Sequence, residues 1–302
     1  MAADRTDAAD VEAPAAGFGA RLTAAVAARG PLCAGIDPHP GLLRDWGLAD
    51  DVNGLERFAM GAVEALAPEV AVLKPQSAFF ERHGSRGIAV LEQVLTAAGQ
   101  AGTLVLLDVK RADIGSTMAG YAEAFLSPDA PLAADAITVS PYLGISALEP
   151  AFELAGRSGR GVFVLALTSN PDGVDVQQAR TRTGSTVAQS VVDAVAARNV
   201  GHRPLGNVGV VVGATTAPGM VRLEKLGGPV LAPGFGAQGA TLADLQRVFG
   251  AAASQVLPAM SRNLLRHGPA SATLRSVARR VADEAAAVLV PLSWQVEGGT
   301  PR

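Results

Sequence analysis

The stretch Thr103-Leu104-Val105-Leu106-Leu107-Asp108-Val109-Lys110-Arg111-Ala112-Asp113-Ile114 is an apolar run of strand length that ends in a cluster of charges. Its Leu and Val residues follow one another without alternation, as in a parallel strand buried on both faces. The next residues, 115–125, switch to helical periodicity. One strand, a charged end and one helix make a βα unit. Asp108 and Lys110 are two apart, so on a strand they point to the same side. Asp113 falls at the start of the helix, where it can cap, reach back, or reach another subunit.

The same unit recurs along the chain. Apolar runs at 31–36, 70–73, 103–109, 134–140, 162–167, 207–212, 229–232 and 255–260 alternate with helical patterns at 53–66, 87–98, 115–125, 145–155, 186–197, 242–249 and 269–289. Eight strands, each followed by a helix, predict an α/β fold of the (β/α)8 TIM-barrel type. The barrel is expected as a single domain over residues 17–296, with a flexible tail at 1–16 and a frayed end at 297–302. A doubly wound open sheet shares the alternation but needs a glycine-rich turn after its first strand. Here that strand ends Ile36-Asp37-Pro38-His39-Pro40, and the prolines cannot form such a turn. The longest interruption, 170–184, is polar and turn-rich, a length typical of lids and binding loops.

Composition narrows the function. Of 302 residues, 49% are hydrophobic and only 4% aromatic, so Ala, Val and Leu must build the core. A net charge of -3 gives no general attraction to nucleic acid or acidic membranes, so a bound anion needs a local site. Cys33 is the only cysteine, which leaves no disulfide framework and fits a reduced, cytoplasmic setting. The N-terminus lacks the basic and apolar regions of a signal peptide. Transmembrane spans need about 18 uninterrupted apolar residues, and none are found. His39, His83, His202 and His267 are scattered without zinc-ligand spacing, so no metal site is expected.

Polar residues at strand ends carry the chemistry of a barrel. These are Asp37; Lys74; Asp108, Lys110 and Asp113; Ser140; Thr168 and Ser169; Pro233–Gly239; and Ser261 with Arg262. Of 25 basic residues only three are lysines, and Lys74 and Lys110 both end apolar runs. Charges there are costly unless they share a polar cavity. Lys74 alone fits a Schiff-base nucleophile, an anion clamp or a solvated strand end. Asp37 alone fits a turn cap equally well. The glycines of Pro233-Gly234-Phe235-Gly236-Ala237-Gln238-Gly239 let backbone N–H groups approach an anion. Arg262 follows the eighth strand with a forked cationic donor. Loops after strands seven and eight are the recurrent phosphate position of such barrels.

Taken together, Asp37, Lys74, Asp108-x-Lys110-x-x-Asp113-Ile114, the Pro233–Gly239 loop and Ser261-Arg262 resemble the orotidine 5'-phosphate decarboxylase family, over about residues 31–265. The resemblance implies a homodimer with shared sites that converts orotidine 5'-monophosphate to UMP and CO2 without metal or organic cofactor. It implies that Lys110 protonates C6 of the pyrimidine while Asp108 and Asp113 flank it. Asp113, Ile114 and Thr117 would come from the partner subunit. Lys74 and Asp37 would hold the ribose, Ser169 the pyrimidine edge, and Gln238 with Arg262 the phosphate. The physical logic agrees, since a lysine beside carboxylates favours its charged form and can meet a developing carbanion. The chain departs from the pattern at Thr138-Val139-Ser140-Pro141-Tyr142, where many members carry a histidine, and in its longer tail and 170–184 loop.

Three rivals remain. A metal-dependent sugar-phosphate synthase or decarboxylase of the same barrel superfamily would carry an acid where Lys74 stands. A Schiff-base aldolase would use Lys74 or Lys110. A nucleotide-binding barrel without catalysis would not need the full charged set.

Overall fold

The computed structural model describes residues 16–235 and 241–289. The expected tail, apart from Ala16, and the expected frayed end lie outside the described residues. Eight strands are present: β1 (Cys33–Ile36), β2 (Val72–Pro75), β3 (Leu104–Arg111), β4 (Ala136–Val139), β5 (Gly161–Leu167), β6 (Val208–Val212), β7 (Val230–Ala232) and β8 (Val256–Met260). They pair in parallel in sequence order, and β8 returns to β1 to close the barrel. The helices are α1 (Phe18–Arg29), α2 (Pro40–Asp45), α3 (Val52–Leu66), α4 (Ala78–Glu81), α5 (Gly84–Gln100), α6 (Gly115–Leu126), α7 (Glu149–Arg157), α8 (Val174–Gln177), α9 (Val187–Arg198), α10 (Leu242–Phe249), α11 (Arg262–Leu265) and α12 (Ser271–Leu289).

All eight expected strands form where the apolar runs placed them. Both faces of β1, β2, β4, β6 and β8 are buried throughout, which is why these strands read as unbroken apolar runs. Two layers of core result. The outer layer lies between strands and helices and includes Leu55, Phe58, Leu91 and Leu274. The inner layer fills the barrel with Cys33, Val72, Leu106, Ala136, Phe163, Val211, Leu231 and Leu257.

One expectation is corrected. A helix follows each strand except β6, because the β6–β7 connection is broken by Pro218 and by Gly213, Gly219, Gly227 and Gly228 and runs as turns. The polar, turn-rich 170–184 segment has local structure of its own. It carries a 3-10 turn at Pro171–Gly173, the short α8, and an antiparallel bridge from Arg180 to Thr186. The Gln177 carboxamide then accepts from Thr168 N at 2.9 Å and donates to its Oγ1 at 2.7 Å, tying the loop to the end of β5.

Helix α1, for which the sequence reading made no provision, covers the N-terminal end of the barrel. Arg21 pairs with Asp135 just before β4, and Gly19 N donates to the Asn207 side chain just before β6. Phe18 enters the inner core edge-on to Phe163, with ring centroids 5.9 Å apart. Burying such a ring contributes about 1.5–3 kcal/mol. The approach requires glycine at 161, where a Cβ would stand 2.4 Å from the Phe18 ring.

Candidate active site

The C-terminal ends of all eight strands line one cavity of about 270 Å³. β1 supplies Gly35 and, just beyond it, Asp37; β2 supplies Lys74, followed by Gln76; β3 supplies Asp108 and Lys110; β4 supplies Thr138. Leu165 and Thr168 come from β5 and its end, Val211 from β6, and Leu231 with Pro233, Gly234 and Phe235 from β7 and the turn after it. Ala259, Met260, Ser261 and Arg262 close the ring from β8. One wall is therefore charged and the floor and opposite wall are apolar.

Asp108 is the centre of the charged wall. Its Oδ2 accepts from Lys74 Nζ at 2.8 Å, and its Oδ1 accepts from Lys110 Nζ at 2.5 Å and from Thr138 Oγ1 at 2.8 Å. Side chains of Lys74 and Asp108 are each 8% exposed, whereas Lys110 is 45% exposed and projects into the cavity. Lys74 also donates to Gln76 Oε1 at 3.3 Å. Burial pushes the Asp108 carboxyl up, but the Lys74 and Lys110 ammonium groups outweigh it and hold the group well below the usual carboxylate range. Burial pulls Lys74 down, and the Asp108 carboxylate with help from Asp37 outweighs that and raises it above the usual lysine range. Both shifts have the same meaning: this pair is ionised in the folded chain. Cys33 lies nearby in the inner core, where burial pushes its thiol up to about 12 and keeps it neutral.

The local backbone explains how Lys110 reaches the cavity. The register between β3 and β4 shifts between Leu107 and Arg111, a bulge that re-aims the strand end. Lys110 has φ +46°, the sole positive φ outside glycine among the described residues. That region costs a side-chain-bearing residue about 1–2 kcal/mol. Thr138 helps hold it, because its Oγ1 accepts from Lys110 N at 2.9 Å while donating to Asp108. Beside Lys74, glycine at 35 on the paired strand lets the end of β8 approach β1, since a Cβ there would stand 2.6 Å from Ser261 Cβ. Asp37 Oδ1 and Ser261 Oγ are buried without hydrogen-bond partners and belong to residues lining the same cavity, where a polar ligand can engage them.

Of the residues singled out in the sequence, the cavity gathers Asp37, Lys74, Asp108, Lys110, Thr168, Ser261 and Arg262, with Pro233, Gly234 and Phe235 from the expected phosphate loop. Asp113, Ile114 and Thr117 do not line it. Asp113 Oδ1 accepts from Ile114 N at 2.8 Å, Ile114 is 62% exposed, and Thr117 is exposed on α6. Ser169 is exposed beside Thr168 and lies outside the lining. Gln238 falls outside the described residues. Ser140, expected at the polar end of the fourth strand, is replaced in the lining by Thr138, because β4 stops at Val139 and Ser140 N turns to Arg111 O. Thr138 and Gln76 went unassigned in the sequence reading. A lone Thr inside Ala136-Ile137-Thr138-Val139 looks like an ordinary β-former, although one hydroxyl in a fully buried strand was a usable signal.

Among the described residues no three His, Cys, Asp or Glu side chains converge as a metal site. No helix there is long and apolar enough to cross a membrane.

The closed parallel barrel and its ammonium–carboxylate centre at the C-terminal mouth define a (β/α)8-barrel enzyme of the kind that handles charged small molecules. Residues 30–277 match the model of the orotidine 5'-phosphate decarboxylase / HUMPS family, and the chain belongs to that family. It is 62% identical over 272 residues to the orotidine 5'-phosphate decarboxylase of Salinispora arenicola, spanning 90% of this chain and 98% of the relative. It is 60% identical to the enzyme of the same name from Streptomyces coelicolor, spanning 88% and 96%. A crystal structure from Streptomyces avermitilis superposes with a TM-score of 0.90 at 58% identity, covering 92% and 97% of the two chains. The structure of Leishmania donovani OMP decarboxylase superposes with a TM-score of 0.72 at 31% identity, covering 90% and 98%.

Proposed function

We propose that the chain decarboxylates orotidine 5'-monophosphate to UMP and CO2, the last step of de novo pyrimidine nucleotide synthesis, with Lys110 as the proton donor to C6. The observation that carries this reading is one buried carboxylate, Asp108, holding two lysines, with Lys110 reaching into a cavity that Ser261 and Arg262 also line. As the C6–carboxylate bond breaks, its electron pair stays on C6 and CO2 departs. The Lys110 ammonium stabilises that pair and transfers a proton from Nζ to C6, leaving a neutral amine that solvent reprotonates. The charges are fixed by Asp108, Lys74 and Thr138 before substrate arrives, so little reorganisation is needed during reaction. In this reading Lys74 and Asp37 hold the ribose hydroxyls, and Arg262 offers a bidentate donor to the phosphate. The apolar floor of Leu165, Val211 and Leu231 receives the ring and limits water.

Absorbance of orotidine 5'-monophosphate should fall when purified enzyme is added in the presence of a strong chelator. Turnover that disappears with chelator and returns with a divalent metal would instead favour the sugar-phosphate branch of the family. Lys74, standing where that branch carries an acid, supports the decarboxylase.

The reading includes a cytoplasmic homodimer in which each mouth is completed by Asp113, Ile114 and Thr117 of the other subunit. Support comes from the absence of these residues from the lining of their own cavity, and from exposed apolar side chains on adjoining strand ends, with Ile114 62%, Tyr142 81% and Leu143 52% exposed. Such a rim is expected to be covered. Mixing Asp113→Ala subunits with Lys110→Ala subunits should restore activity in proportion to the heterodimer formed, because one of its two sites is then intact. Verified heterodimers without activity would show that Asp113 acts within its own chain.

A further inference from the structure

The left-handed turn at Lys110 is held from inside the cavity by Thr138, and a second set of contacts holds it from outside. The Arg111 guanidinium donates to Val109 O at 3.2 Å and to Glu81 Oε1 at 2.5 Å. The same Glu81 oxygen accepts from Ser77 Oγ at 2.6 Å, and Ser77 N donates to Asp108 O at 3.2 Å. The circuit Asp108–Ser77–Glu81–Arg111 thus encloses the backbone of Val109 and Lys110. It ties the β3 bulge to the β2–α4 corner that carries Lys74. The guanidinium is further wedged over Tyr121 and Phe125 of α6, 5.7 Å and 5.9 Å from their ring centroids. Glu81 lies below its usual range: burial pushes it up, but hydrogen bonds from Ser77 and Arg111 outweigh that.

None of Ser77, Glu81 or Arg111 lines the cavity. A bulged strand with a strained residue and a half-exposed lysine has alternatives in which that lysine points elsewhere. We propose that Arg111 and Glu81 are a positioning pair. Resting on the decarboxylase reading, the pair fixes the turn at Lys110 so that its ammonium is aimed at C6, and it touches no substrate itself.

The test compares Arg111→Met, which keeps bulk against the two rings, Glu81→Gln, and the swap Glu81→Arg/Arg111→Glu. Displacing a reacting group by a fraction of its reach lowers the rate of the chemical step, so both single variants should lose about 10–100-fold in kcat. Ground-state contacts to the nucleotide are untouched, so KM and calorimetric UMP affinity should stay within about threefold. The swap should regain a measurable part of the kcat that the Arg111→Glu single variant, assayed beside it, loses. Unchanged kcat with a lowered melting temperature would reduce the pair to packing and overturn the proposal, as would a rise in KM at constant kcat. Glu81→Gln preserves volume at a half-exposed position, so it reports even where Arg111→Met unfolds. Wild-type enzyme inert toward orotidine 5'-monophosphate would sink the decarboxylase reading instead, a result distinguishable from failure of the pair.

Discussion

A Lys110→Ala variant should fold, bind UMP and turn over no measurable substrate. The loss combines a general acid with the charge that stabilises the carbanion, and is expected to reach about 10⁴-fold or more in kcat. Stability should hardly change. Lys110 is 45% exposed, and without it Asp108 keeps Lys74 and Thr138 as partners. Alanine also removes a long side chain from a strained turn. Steady-state assay, calorimetry with UMP and thermal melting check the three parts separately. Residual turnover within a hundredfold of wild type would remove Lys110 from the chemistry.

Asp108→Asn should damage both activity and fold. It strands Lys74 in a site with 8% exposure, and losing one partner of a buried pair typically costs about 3–5 kcal/mol. The pH dependence follows from the two shifts. Asp108 is lowered on folding, so its contribution is present above the ordinary carboxylate pKa and is lost as pH falls through the folded value. Lys74 is raised, so its contribution is complete below the ordinary lysine pKa and is lost as pH rises through the folded value. Denaturant titrations of wild type and variant should therefore differ most between about pH 5 and pH 9 and converge in strong acid. A gap that does not narrow in acid would mean that the ion pair is not its source. Activity should fall by at least about 10²-fold, because Lys110 loses its anchoring carboxylate.

The fold was legible because most of the strands are buried on both faces, leaving apolar runs that no surface pattern interrupts. The charged ends were legible for the complementary reason that Lys74, Asp108 and Lys110 are the wrong residues to bury alone. What escaped was encoded differently. Helix α1 shows only moderate amphipathicity because Phe18 and Leu22 enter the barrel while Arg21 and Arg29 reach neighbouring loops. Thr138 hid as a β-former, and the strand-end rule pointed two residues too far, to Ser140. The left-handed turn at Lys110 has no residue signature, since nothing in Asp-Val-Lys-Arg favours positive φ; tertiary contacts impose it. The missing helix after β6 was foreshadowed by the glycines and proline of that connection.

The Phe18 seal has a consequence for traffic. Among the described residues, α1 stops one end and packed side chains fill the middle, which leaves the cavity at the opposite end of the barrel. On the proposed reading, nucleotide entering there stands between the departing gas and bulk solvent, so CO2 would have to slip past the bound product or wait for it to leave. The rim that admits substrate therefore also governs exit, and a ligand pinned across it traps whatever lies beneath.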